Sequence, residues 1–152
     1  PEAVANIVAH YRTEARRCGW EPTSDQIVYR GFGLVADTDT RAGELEPTFL
    51  PPHQRFLLDG PVPGPSASST KKIVIPDERQ LADATPFGMG RMLFAGSPDT
   101  VVARLRAFQS LTGVGVVDLV FSSAQIAAAD ERRSIELFGR EVLPRIRSFN
   151  AT

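Results

Sequence analysis

A second cysteine, a long apolar run and a surplus of either charge are all missing from this sequence. Cys18 stands alone, so no disulfide can form within the chain, and the residue fits a reducing, cytoplasmic compartment. No stretch approaches the ~20 apolar residues of a membrane span, and no charged start followed by an apolar run reads as a signal peptide. Lys and Arg number 17 against 18 Asp and Glu, a net charge of −1. A nucleic-acid partner needs a basic excess to neutralise phosphates and is not expected; nor is a membrane. What is present is ordinary: 42% hydrophobic residues with 12 glycines in 152 positions, which excludes disorder of the whole chain and suffices for one domain.

Periodicity supplies the elements. Val4, Ile7, Val8, Tyr11, Ala15 and Cys18 follow helical spacing and predict one buried stripe, closed by Gly19. Gln26 to Ala36 is rich in β-formers, and apolar residues at both parities predict a strand covered on both faces. Gly31 and Gly33 share one face, so another group should pack closely there. Six of the twelve prolines fall between Pro47 and Pro65, and Asp37 to Pro65 reads as an extended loop interrupted by a short helix at Pro52–Leu58. A short strand at Lys71–Ile75 and a helical turn at Asp77–Ala84 follow. Excursions of this length are usually lids or linkers.

Further on, Ser97, Pro98 and Asp99 carry the signals of a helix start. That helix buries Val101, Val102, Leu105, Phe108 and either Leu111 or Thr112, and Gly113 closes it. Val116–Phe121 predicts a buried strand that ends at Ser122 and Ser123. Glu131–Phe149 predicts a last helix with Ile135, Phe138, Val142, Ile146 and Phe149 in phase and a kink at Pro144. The order helix, strand, long loop, helix, strand, helix is α/β, with the two strands parallel in a right-handed unit. Two parallel strands cannot cover both of their faces, so the rest of a sheet must come from elsewhere.

Several motifs carry less than they promise. Gly31-Phe32-Gly33-Leu34-Val35-Ala36 matches a dinucleotide fingerprint in letters, but its glycines lie within a strand instead of a turn before a helix. His10 and His53 have no ligand-type neighbours at metal-binding spacing, so no metal site is expected. Cys18 reads as a small buried hydrophobe. The amides after Gly96 could hold a phosphate, but Ser97 and Asp99 already satisfy that helix end, which reads as a structural cap.

Three blocks in order do match a family. Phe94-Ala95-Gly96-Ser97-Pro98-Asp99-Thr100-Val101-Val102-Ala103-Arg104-Leu105 is the first, and Leu111-Thr112-Gly113-Val114 ahead of Val117-Asp118-Leu119-Val120-Phe121 is the second. Ser134-Ile135-Glu136-Leu137-Phe138-Gly139-Arg140-Glu141-Val142-Leu143-Pro144 is the third. Together they resemble the C-terminal part of the bacterial luciferase-like flavin-dependent monooxygenases. In that family a G-[ST]-P-[ED] cap opens the seventh helix, T-G-V/I-D leads into the eighth strand, and the last helix reads S-x-E/K-L-F-x-x-E/D-V-M/L-P. Val114-Gly115-Val116-Val117-Asp118 departs slightly, since the family places Asp sooner after Val. Tyr11 to Trp20 and the strand ending Val35-Ala36-Asp37 resemble its sixth helix and seventh strand.

The resemblance implies a (β/α)8 barrel, of which residues 1–152 would be the C-terminal part, with a variable, lid-like excursion at 38–92. Pro1 in place of methionine, and a length of about half such a barrel, then read as a cut through a longer protein. The implied activity is oxygenation of a small organic substrate by O2 with reduced FMN, delivered by a separate flavin reductase. A deazaflavin-dependent hydride transfer on the same fold is the near alternative, and a non-catalytic fragment or stabilising subunit is the alternative of another class. Homo-oligomers are expected. The family's flavin-gripping and catalytic residues belong to earlier strands, so none is carried over. Candidates for the pocket wall are the strand ends Val35–Asp37 and Phe121–Ser123, chiefly Phe121 and Ser122. Phe87, Met89 and Arg91 either close over the pocket or pack the excursion onto the barrel. Arg30 faces an anionic group or pairs with a residue of another strand.

Overall fold

The computed structural model describes residues 1–49, 92–123 and 125–147, which belong to one compact unit. The chain runs through α1 (Glu2–Arg17), β1 (Val28–Val35), α2 (Asp39–Phe49), β2 (Leu93–Gly96), α3 (Pro98–Thr112), β3 (Val116–Val120) and α4 (Ala128–Leu137). A π-turn (Phe138–Val142) then leads into the short α5 (Leu143–Ile146). The three strands form a parallel sheet in the order β2-β1-β3, with Phe32 opposite Leu93 and Val28 opposite Val116. Parallel pairing of the two strands foreseen from sequence therefore holds. The third strand, β2, was not foreseen; four residues are too short to show alternation.

All three foreseen helix caps are present. The Ser97 hydroxyl accepts from Thr100 N–H, Pro98 opens α3, and Gly113 closes it in the left-handed conformation. At the end of α1 the amides of Gly19 and Trp20 return to the carbonyls of Arg16 and Ala15, a Schellman ending that turns the chain toward β1. The stripe of α1 is narrower than its spacing implies: Val8 and Ala15 are buried, while Ile7, Tyr11 and Cys18 are exposed. Cys18 is the capping residue itself, placed where the chain leaves the helix, and so it is not the buried hydrophobe expected.

The core lies between the sheet and the helices. Phe108 of α3 reaches across two strands, its ring 4.8 Å from that of Tyr29 and 5.4 Å from that of Phe94. Val101, Val102 and Leu105 fill the rest of that face of α3, with Val35, Leu137 and Val142 behind them. Of the two alternatives at its end, Thr112 is buried and Leu111 exposed. Gly31 and Gly33 behave as foreseen: a Cβ on Gly33 would lie 2.7 Å from the Phe121 ring, and one on Gly31 would lie 2.9 Å from the Met92 carbonyl oxygen. The bare face of β1 is what lets Phe121 and the start of β2 approach.

Four expectations need correcting. Strand β1 is covered only over its C-terminal half, since Val28 is 60% exposed and Arg30 is also exposed. Strand β3 is half-buried, not buried, because an outer strand has a neighbour on one side only. Residues 39–49 are helical where a loop was expected: Thr38 supplies its hydroxyl to Arg41 N–H and its carbonyl to Ala42 N–H, which starts α2 despite Pro47 farther along. In the last helical stretch Ser134, Leu137 and Val142 point inward and Ile135 is 49% exposed, because the π-turn before Pro144 shifts the helical phase. The elements expected at 52–58, 71–75 and 77–84, and the end of the last helix at Phe149, lie outside the described residues.

Candidate functional site

The rim formed by the C-terminal ends of the strands is where β1 turns into α2, β2 into α3 and β3 toward α4. Parallel α/β folds place their sites at this end. Sequence dictates its character: Asp37-Thr38-Asp39-Thr40-Arg41 puts carboxylates and a cation directly after an apolar strand. Each carboxylate finds a different neighbour. Asp37 pairs with Arg133 of α4. Asp39 accepts from Ser97 N–H at 2.7 Å and from the Thr100 hydroxyl at 3.0 Å. Arg41 reaches Glu44 and Asp130, both at 3.0 Å. Beneath them Ala36 N–H donates to Gly96 O, and the buried Ser134 hydroxyl accepts from Val35 N–H at 2.7 Å.

These contacts fix the charge states. Hydrogen bonding from Arg133 holds the Asp37 carboxyl below its usual range and holds the Arg133 guanidinium above its own. The Ser97 amide, followed by the Thr100 hydroxyl, does the same for Asp39. Hydrogen bonds to Glu44 and then Asp130 raise Arg41. Carboxylates held ionised in this way are poor proton donors and weak bases near neutral pH, so Asp37 and Asp39 serve as latches between elements. At the start of α3 the Ser97 amide donates to Asp39 and the Thr100 amide to the Ser97 hydroxyl, so this helix end is a structural cap.

On the sheet face opposite α3, the Arg30 guanidinium meets Asp118 of β3 at 2.6 Å, directly across the register. Of the two readings open for Arg30, the ion pair with another strand is the one realised. Farther along that face the Phe32 ring meets the Phe49 ring of α2 edge-on at 6.0 Å. The Ser123 hydroxyl donates to the Phe49 carbonyl and holds the end of α2 over the strand ends. Phe121 lies on the opposite face, against Gly33 and with its ring 5.0 Å from that of Phe138. Ser122 is exposed, its hydroxyl 3.4 Å from Glu131. Phe87, Met89 and Arg91 lie outside the described residues, as does His53. The structure thus gathers Ser123 with Phe32 and Phe49, and separates Arg30 from Phe121.

Sequence reading missed the roles of Asp39, Asp130 and Ser134. The signal for Asp39 was present, since Thr-Asp ahead of Ala42, Leu45 and Phe49 is a capped helical spacing. Asp130 and Ser134 became partners only through the tertiary fold. Among the described residues no three His, Cys, Asp or Glu side chains group to hold a metal ion, and no helix is long and apolar enough to cross a membrane.

No protein-family model matches the chain, and a search of curated proteins finds no relative. Solved structures do match. Monooxygenase RslO1 from Streptomyces bottropensis is 17% identical with a TM-score of 0.61, over 95% of this chain and 38% of that one. The oxygenating constituent of 3,6-diketocamphane monooxygenase from Pseudomonas putida, a type II Baeyer-Villiger monooxygenase in complex with FMN, is 23% identical with a TM-score of 0.58. That match covers 94% of this chain and 40% of the other. The chain therefore spans about two fifths of the monooxygenases it matches. Its parallel sheet and helices have the fold of part of a flavin-dependent monooxygenase barrel, an incomplete (β/α)8 arrangement.

Proposed function

We propose that this chain is the C-terminal part of a flavin-dependent monooxygenase of the luciferase-like kind, which oxygenates a small organic substrate with O2 and reduced FMN supplied by a reductase. The observation that carries the reading is the match of nearly the whole chain to two monooxygenases, one of them holding FMN. The described residues do not form a grip for the flavin phosphate. Arg41 and Arg133 at the rim are engaged by carboxylates, and the Ser97 amide at the start of α3 faces Asp39. No chemical step is therefore assigned to this chain's side chains. Their part is framework: the Asp37 and Asp39 latches, with Ser123 on Phe49, hold the strand-end rim in shape.

The test is to add FMN to the purified chain and follow flavin fluorescence, then supply reduced FMN and measure O2 uptake and product from a cyclic ketone. Quenched fluorescence, with turnover beyond that of free reduced flavin, supports a catalytic chain. The engaged rim arginines favour a second reading, a non-catalytic framework chain. It expects a folded protein that leaves FMN fluorescence unchanged and adds nothing to the oxidation of free reduced flavin.

A further inference from the structure

At the opposite end of the sheet, where the strands begin, an apolar groove of about 300 Å³ opens between α3, the start of β3 and α5. Leu105 and Phe108 of α3, Val114 and Val117 at the start of β3, and Leu143 and Ile146 of α5 line it. The π-turn precedes Leu143 and Ile146 and sets their phase, and both line the groove. Arg147 stands at the mouth, exposed, and among the described residues no carboxylate pairs with it. An unpaired guanidinium over apolar walls selects a ligand with an apolar body and one anionic group. Volume sets the size: an apolar cavity of about 150 Å³ takes benzene, so twice that space takes two fused rings.

We propose that this groove binds a small apolar monoanion of bicyclic size, with its rings against Val117 and Ile146 and its carboxylate on Arg147. The site lies across the sheet from the strand-end rim and does not depend on the flavin reading.

The test is a titration of the whole chain with 2-naphthoate, followed by the ligand's own fluorescence, alongside the neutral isostere 2-naphthalenemethanol. Saturable one-to-one binding is expected, weakened roughly tenfold both in the neutral isostere and in Arg147→Gln, the worth of a charge-assisted contact. Ile146→Trp fills the groove and is expected to abolish binding with the circular dichroism unchanged. Arg147→Glu changes only an exposed side chain and keeps the test open should Ile146→Trp misfold; it is expected to repel the carboxylate and leave the alcohol bound. No saturable binding at millimolar ligand overturns the proposal, as a groove covered by further polypeptide would produce. So does an affinity indifferent to both arginine variants.

Discussion

A methyl group on Gly115 would lie 2.4 Å from the Ser24 carbonyl oxygen, and the Gly115 amide donates to that same oxygen at 2.9 Å. The neighbour is backbone, so it cannot swing aside as a side chain would. Gly115→Ala is therefore expected to cost about 1–3 kcal/mol, the usual range for overpacking, and to lower the thermal midpoint by several degrees. Circular dichroism melts would show it, and an unchanged midpoint would refute the close approach. The same contact accounts for glycine at position 115, between Val114 and Val116. Charge at the rim gives a second residue-level prediction. Asp39 is held ionised by the Ser97 amide and then the Thr100 hydroxyl, so its folded pKa lies below its unfolded one. Its stabilising contribution is complete above the ordinary Asp value of about 4 and is lost as the pH falls through the depressed folded value. The urea midpoint should fall between pH 6 and pH 3, and fall less in Asp39→Asn; equal falls would count against the latch. Arg30 is a contrasting case. Its pair with Asp118 is exposed on both sides, so Arg30→Met should change stability by less than about 1 kcal/mol.

At the scale of elements, α4 is tied to β1 by one buried contact, Val35 N–H to the Ser134 hydroxyl. Ser134→Ala leaves that amide without an acceptor, and urea unfolding should register a loss of about 1–3 kcal/mol. A loss within error would mean that water or a shift of α4 replaces the hydroxyl. The same residues show why some elements were legible in sequence and others were not. Ser97-Pro98-Asp99 and Gly113 mark α3 because caps are local chemistry, readable from neighbours in the chain. Helix α2 was obscured by the prolines that begin at Pro47, although its start at Thr38 carries a cap of the same kind. The inward face at Ser134 was missed because a π-turn changes phase, and periodicity presumes a constant one. Arg30 was recognised as an ion-pair candidate, but its partner lies 88 residues away and is set by strand register. The acid latches share that limit: Asp37 and Arg133 are 96 residues apart.

For the molecule as a whole, the sheet order has a measurable signature. β1 is bonded on both sides, while β2 and β3 each have one free side among the described strands. Backbone hydrogen exchange should therefore be slowest in β1 and faster in β3. Equal protection of the two would point to a further strand alongside β3. The central position of β1 also sets a timetable for synthesis. Of the three described strands it is the first to leave the ribosome, yet Val28 must wait for Val116. At about 5–20 residues per second those 88 residues occupy roughly 4–18 s. Until Leu93–Gly96 follow, a nascent chain presents Phe32, Leu34 and Val35 with neither β2 nor β3 in place. The segment that later forms the middle of the described sheet thus gains from a chaperone's protection while the ribosome is still at work.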